Sequence, residues 1–157
     1  MPGLKRKWRR RIVDRALNYL ALARKARLVE LGEEPVGAAA RSNQARLVIV
    51  ASDASDHSWR RALSYVDHTG QQCLRVAYTK DELGMAVGRQ DLAMAAFTDS
   101  GLALKFVEAL GQNEKNKAVI EDLQDRTRRV QKHRQEEKAH RRNVRMGRTQ
   151  RDGGSKK

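Results

Sequence analysis

The sequence predicts an α/β domain, with helices on both faces of a small sheet, carrying a strongly basic extension at each end. Three observations predict it. Apolar runs of strand type at 47–51, 73–78 and 93–98 alternate with segments of helical periodicity. Capping residues stand where each following helix should begin. Charge is also segregated: of the formal +14, residues 1–27 carry +9, residues 28–110 carry −3, and residues 111–157 carry +8.

The elements follow in order. Residues 1–11 (MPGLKRKWRRR) form a basic arm with one aromatic, Trp8. From about Ile12, apolar side chains recur at helical spacing (Val13, Ala16, Leu17, Leu20, Ala23), so one face of a helix is buried. Residues 28–31 are a short extended piece ending at Gly32. A second helix runs from Glu33 to Arg41, with Pro35 and two glutamates in its first turn, and Asn43 closes it. The run 47–51 is apolar throughout, with β-branched Val48, Ile49 and Val50 at its centre, as expected of a strand covered on both faces.

A turn at 52–56, with Asp53 or Ser55 as cap, opens a helix through Trp59, Ala62, Leu63 and Val66 that stops at Gly70. Strand 73–78 leads into Thr79-Lys80-Asp81-Glu82, a capping box that opens a short helix ending at Gly88. Gly84 reads as a close-packing position. After strand 93–98, Asp99-Ser100 caps a last helix from about Leu102 to Leu110, and Gly111 ends it. Residues 112–145 have helical composition, with Asp122–Arg126 and Asp125–Arg129 spaced to pair. Each such pair contributes only ~0.2–0.5 kcal/mol, so the segment is expected to fray without a partner. The last dozen residues, with Gly147, Gly153 and Gly154, read as disordered.

Composition bounds the function. Excess positive charge attracts polyanions, and a nucleic acid suits it better than a membrane surface. A membrane-surface helix needs a broad apolar face, whereas the tail has only scattered Val119, Ile120, Leu123, Val130 and Val144. No apolar run approaches the ~20 residues of a membrane span. The segment 17–23 is interrupted by Asn18 and makes no signal-peptide core. The single cysteine, Cys73, excludes an internal disulfide and reads as a small hydrophobe in a strand. Together these imply a cytoplasmic protein.

The ordered set of features is itself informative. Leu20-x-Leu22-Ala23-Arg24-Lys25-Ala26 leads to Leu28-Val29 and Gly32. Residues 45–55 (ARLVIVASDAS) follow, then Thr79-Lys80-x-Glu82-Leu83-Gly84-x-Ala86-x-Gly88 and Ala96-x-Thr98-Asp99-x-Gly101. Over residues 12–110 this order resembles the ribosomal protein seven-Ae/thirty-e superfamily, whose members bind kinked (kink-turn) RNA, and above all its small bacterial ribosomal-protein-like branch. The resemblance implies a three-layer α-β-α sandwich around a small mixed sheet. It also implies an RNA surface made by the amino end of the second helix and the loop after the Leu-Gly helix.

The family motif at that helix is Gly-x-Asn-Glu-x-x-Lys. Only its glycine, Gly32, stands here; Glu34, Pro35 and Ala38 occupy the Asn, Glu and Lys positions. Glutamates repel a phosphate from the helix end, although a carboxylate can accept a hydrogen bond from a guanine or cytosine amino group. The candidate RNA-binding residues on the domain are therefore Gly32, Glu34, Arg41, Arg89, Gln90 and Leu92. The arm adds Lys5, Arg6, Lys7, Trp8, Arg9, Arg10 and Arg11, where Trp8 can stack on a base. The tail adds Arg128, Arg129, Arg141 and Arg142.

No catalytic or metal site is expected. Asp53 follows an apolar strand, where acceptor aspartates sit in other α/β folds, but a turn and cap explain it better. His57, His68, His133 and His140 show no ligand spacing with Cys73, and there is no phosphate-cradling glycine loop. The reading is a non-enzymatic binder of structured RNA without cofactor or metal. Its expected RNA is ribosomal, its role ribosome structure or assembly, and ribosomal proteins are potential neighbours. The alternative is an adaptor whose domain docks a protein partner while the tails tether it to RNA. A nucleotide or phosphoryl enzyme would require a small molecule held near Asp53.

Overall fold

Two strands are buried at every residue: β2 (Leu47–Val50) and β4 (Met94–Phe97). Such strands need cover on both faces, and the rest of the domain supplies it. The computed structural model describes residues 15–154, with side chains through Gly147; the basic arm at 1–11 lies outside them. The sheet has the order β1-β4-β2-β3, with β1 (Val29–Leu31) and β3 (Gln72–Arg75) at its edges. β4 runs antiparallel to both β1 and β2, while β3 is parallel to β2, so the sheet is mixed.

Helices fill both outer layers of this α-β-α sandwich. α2 (Glu33–Arg41) and α3 (Asp56–Val66) pack on each other and on the sheet. α5 (Ser100–Ala109) packs on β4, where the chain's two phenylalanines meet: the rings of Phe97 and Phe106 are 5.1 Å apart and tilted by 43°. α1, over 15–25, buries Ala16, Leu20 and Ala23, the face that its periodicity predicts. α4 (Lys80–Ala86) is the shortest helix among the described residues.

Local chemistry sets the helix boundaries. Ser55 accepts from the Ser58 amide, Thr79 and Glu82 form the reciprocal capping box, and Asp99 accepts from the Leu102 amide. Asn43 closes α2 in the left-handed conformation at φ 59°, and the Gln44 amide returns to Ala39 O. Two boundaries differ from expectation. α3 stops at Val66, where Asp67 turns extended and His68 is left-handed, before Gly70 is reached. β3 ends at Arg75 rather than at residue 78, although the Val76 amide still donates to Val50 O and the Ser52 amide to Tyr78 O.

The compact unit continues past Gly111, the boundary read from the sequence, through Gln124, because Leu123 is fully buried. α6 (Lys117–Gly154) continues into a second unit that begins at Asp125. Within the described residues this helix extends past residue 145, the end read from the sequence. Arg, Lys, Gln and Glu are strong helix formers, and their summed propensity carries the helix through Gly147. Asp125 pairs with Arg128 at 2.7 Å, one position earlier than the predicted Arg129, and His133 meets Glu137 at 3.0 Å.

One buried polar side chain ties the second layer to the sheet. Gln71 accepts from the Ala45 amide at 2.9 Å and donates to Ala40 O at 3.0 Å, clamping the end of α2 to the approach of β2. Gln71→Ala would strand both backbone groups in the interior. It should cost about 2–3 kcal/mol in urea denaturation with an unchanged slope.

Cys73 lies half-buried on β3, and burial pushes its thiol up to about 12. It should therefore resist iodoacetamide at pH 8 until the chain unfolds. Since the folded value lies above the ordinary 9.0, its contribution to stability is complete below pH 9 and is lost as pH rises from there toward 12.

Candidate functional site

The start of α2 differs from those of α3, α4 and α5. α3, α4 and α5 each have a side-chain cap, whereas α2 begins at Gly32, which has none. Gly32 sits at φ 95° and ψ 165°, a conformation essentially confined to glycine. Its amide is held by Met94 O, and its carbonyl accepts from Val36. The Glu33 and Glu34 amides at this end have no side-chain acceptor, and Pro35 has no N–H. Open amides at a helix amino end form an anion-binding position.

Arg89 is brought to this helix end. A β-carbon built on Gly32 would lie 3.7 Å from Arg89 Nη1, so the guanidinium reaches over the glycine. The loop carrying Arg89 is fixed from below. A β-carbon on Gly84 would sit 2.8 Å from Asp91 Cα and 2.9 Å from both Arg89 O and Asp91 N. Only glycine in α4 permits the loop to lie this close, as its reading as a close-packing position anticipates. The Arg89 amide donates to Gly84 O at 2.8 Å, and the Leu92 amide to Lys80 O at 3.0 Å.

Leu92, a predicted contact residue, is buried and anchors the loop, so its side chain is not presented. Gln90 is exposed. A second cation was not among the predicted residues: Arg24 of α1 lies over Gly88, its Nη1 3.0 Å from where a β-carbon would stand. Its place in Leu-Ala-Arg-Lys-Ala was visible in the sequence, but not the helix packing that carries it to Gly88.

Glu34, Pro35, Ala38 and Arg41 line a groove of about 540 Å³ with Arg61 and Tyr65 of α3. Arg61 donates to Glu33 at 2.8 Å, and the hydrogen bond and charge of Glu33 hold its guanidinium above the ordinary value. Both side chains are substantially exposed, so the pair adds little stability. Its effect is to offset one of the two carboxylates at the helix end. Gly37 admits the Tyr65 ring and Arg41 Nη1, which lie 3.0 and 3.2 Å from its absent β-carbon. Arg41 therefore belongs with Arg61 and Tyr65, toward the far end of α2 from Gly32.

Arg128, Arg129, Arg141 and Arg142 are exposed on α6 within the second unit. Lys5, Arg6, Lys7, Trp8, Arg9, Arg10 and Arg11 lie outside the described residues. Asp53 does not form a reactive centre: its Oδ1 accepts from the Lys80 amide at 2.8 Å, joining the turn after β2 to the start of α4. It caps this helix rather than α3, which Ser55 caps. Among the described residues no helix is long and apolar enough to cross a membrane.

No family model matches the chain. It is 32% identical over 95 residues to the RNA-binding protein YlxQ of Bacillus subtilis, a match covering 58% of this chain and 90% of the relative. Among solved structures it is similar to a protein of unknown function from Bacillus halodurans. That likeness has 29% identity and a TM-score of 0.57, over 62% of this chain and 97% of the other. It is also similar to the 15.5kD RNA binding protein of Giardia lamblia, at 19% identity and a TM-score of 0.53, over 69% and 90% of the two chains. The last likeness is one of fold.

The geometry at Gly84 is testable by itself. Gly84→Ala forces the backbone of Arg89–Asp91 to move, at a cost of about 1–3 kcal/mol. In amide NMR spectra, residues 89–92 and Gly32 should shift while those of α3 stay in place.

Proposed function

The chain belongs to the family of the RNA-binding protein YlxQ, and on that premise we propose that it binds structured RNA without acting as an enzyme. The observation that carries the reading is Arg89 standing over the uncapped start of α2 at Gly32. Open amides and a guanidinium converge there on a position suited to one phosphate. Arg24 beside Gly88 widens the cationic edge. Glu34 selects what lies next to the phosphate, because it accepts from the amino groups of guanine and cytosine and repels a second phosphate.

A shape-specific platform of this kind suits a kinked or bulged RNA helix, in which bases and backbone are both accessible. The RNA we propose is ribosomal, and the role one in ribosome structure or assembly, next to ribosomal proteins. The arm (Lys5 to Arg11) and the arginines of α6 (Arg128, Arg129, Arg141, Arg142) supply charge along the phosphate backbone, with Trp8 available for stacking. Gln90 extends the surface beside Arg89, and Arg41 adds a cation at the other end of α2.

Affinity for a kinked RNA should fall roughly tenfold for each of Arg89→Ala and Arg24→Ala at physiological salt. Log K should decline with log salt by ~0.7–0.9 per phosphate contact, and the double variant should show the shallower slope. Fluorescence anisotropy against a kinked RNA and a matched regular duplex measures both. Equal affinity of the intact chain for the two RNAs, or binding indifferent to salt, would overturn the proposal.

A further inference from the structure

A second site lies at the edge of the sheet occupied by β3. Among the described residues no strand pairs with the outer side of β3. Along it runs a pocket of about 220 Å³, lined by the five consecutive residues from Leu74 to Tyr78. The pocket starts beside Leu74 and Arg75 at the end of β3 and continues past the strand along Val76, Ala77 and Tyr78. Leu110 closes its apolar side, and Lys115 and Asn116 arrive from the segment that leads into α6.

Asn116 is the informative residue. It is 3% exposed, and its Nδ2 is the one buried side-chain polar atom among the described residues without a hydrogen-bond partner. An unpaired buried amide costs about 1–3 kcal/mol, so an acceptor is wanted at this position. The charges around the pocket define that acceptor further. Arg75 is held over the Trp59 ring at 5.6 Å, and its Nη2 donates to Ser52 O and Ala54 O, which leaves other guanidinium protons free of those bonds. Lys115 is exposed. The one carboxylate in the lining, Glu82, is engaged by the Thr79 amide and hydroxyl in the capping box.

We propose that this edge docks an extended acidic peptide from a protein partner. The peptide adds a strand to β3, places one aliphatic side chain in the pocket, and gives a carbonyl to Asn116 Nδ2. Its carboxylates face Arg75 and Lys115. The hydrogen bonds of an added strand give affinity, and the pocket and the two cations give selectivity. The site is independent of Gly32 and Arg89, so the chain can hold RNA and a protein segment at once.

The test uses the full chain, 15N-labelled, titrated at physiological salt with a blocked six-residue peptide of alternating aspartate and valine. The lysine–valine counterpart is the control. Saturable shifts are expected at the amides of Cys73, Arg75 and Ala77 and at the Asn116 side-chain amide. Asn116→Leu should weaken binding at least tenfold, and Lys115→Glu, on an exposed side chain that folding does not need, at least threefold. Neither variant should change affinity for the kinked RNA. Shifts confined to the arginines of α6, equal binding of the lysine peptide, or loss of RNA affinity in these variants would overturn the proposal.

Discussion

At Gly84 the backbone of Asp91 fills the space that a β-carbon would take. Much of the candidate surface depends on that contact. It lets the loop after α4 lie flat on the helix and directs Leu92 inward as an anchor. Arg89 is thereby left at the one height from which its guanidinium reaches Gly32. Gly32 then needs its own glycine-only dihedrals to turn β1 into α2 without a capping side chain. Two glycines therefore do opposite things. One removes a side chain so that backbone can approach backbone, and the other removes it so that backbone amides stay open to a ligand.

The cost of an open helix end is visible by contrast with its neighbours. Ser55, Thr79 and Asp99 each satisfy first-turn amides at the starts of α3, α4 and α5, a gain of about 1 kcal/mol apiece. α2 forgoes this. Its stability comes instead from burial of Val36, Ala39 and Ala40, and from Gln71, which accepts from one backbone amide and donates to one carbonyl at the other end of the helix. A helix clamped at its far end by a buried glutamine can leave its near end unsatisfied, as binding surfaces often do.

What the sequence reveals divides along physical lines. Caps, strands and the capping box are local, and Thr79 with Glu82 or the run around Val48 declare themselves within a few residues. The close-packing part of Gly84 and the structural part of Asp53 were also legible, since glycine and aspartate have few other reasons to stand there. Arg24 beside Gly88, the Gln71 clamp and the orphaned Asn116 amide were not. Each depends on segments brought together by packing across the fold, which no spacing encodes. The tail is a different case: without an apolar face nothing local marks where its helix ends, and α6 runs past residue 145 to Gly154.

The two glutamates at the start of α2 first look like an argument against an anion, and the structure separates them. Glu33 is held by Arg61, so its charge is balanced within the protein and contributes little repulsion at the helix end. Glu34 is exposed and forms no such ion pair, although its charge also acts on Arg61, in a groove that also holds Arg41 and Tyr65. A surface carrying open amides, Arg89 and one free carboxylate discriminates in a way that a purely cationic one cannot. On the proposed reading it would accept a phosphate at Gly32 and ask for a hydrogen-bond donor alongside. On that reading, charge on the extensions would raise affinity for any RNA, and selectivity would have to come from the folded unit, whose residues 28–110 carry a net −3. Local placement of cation and carboxylate, rather than total charge, then decides which RNA is retained.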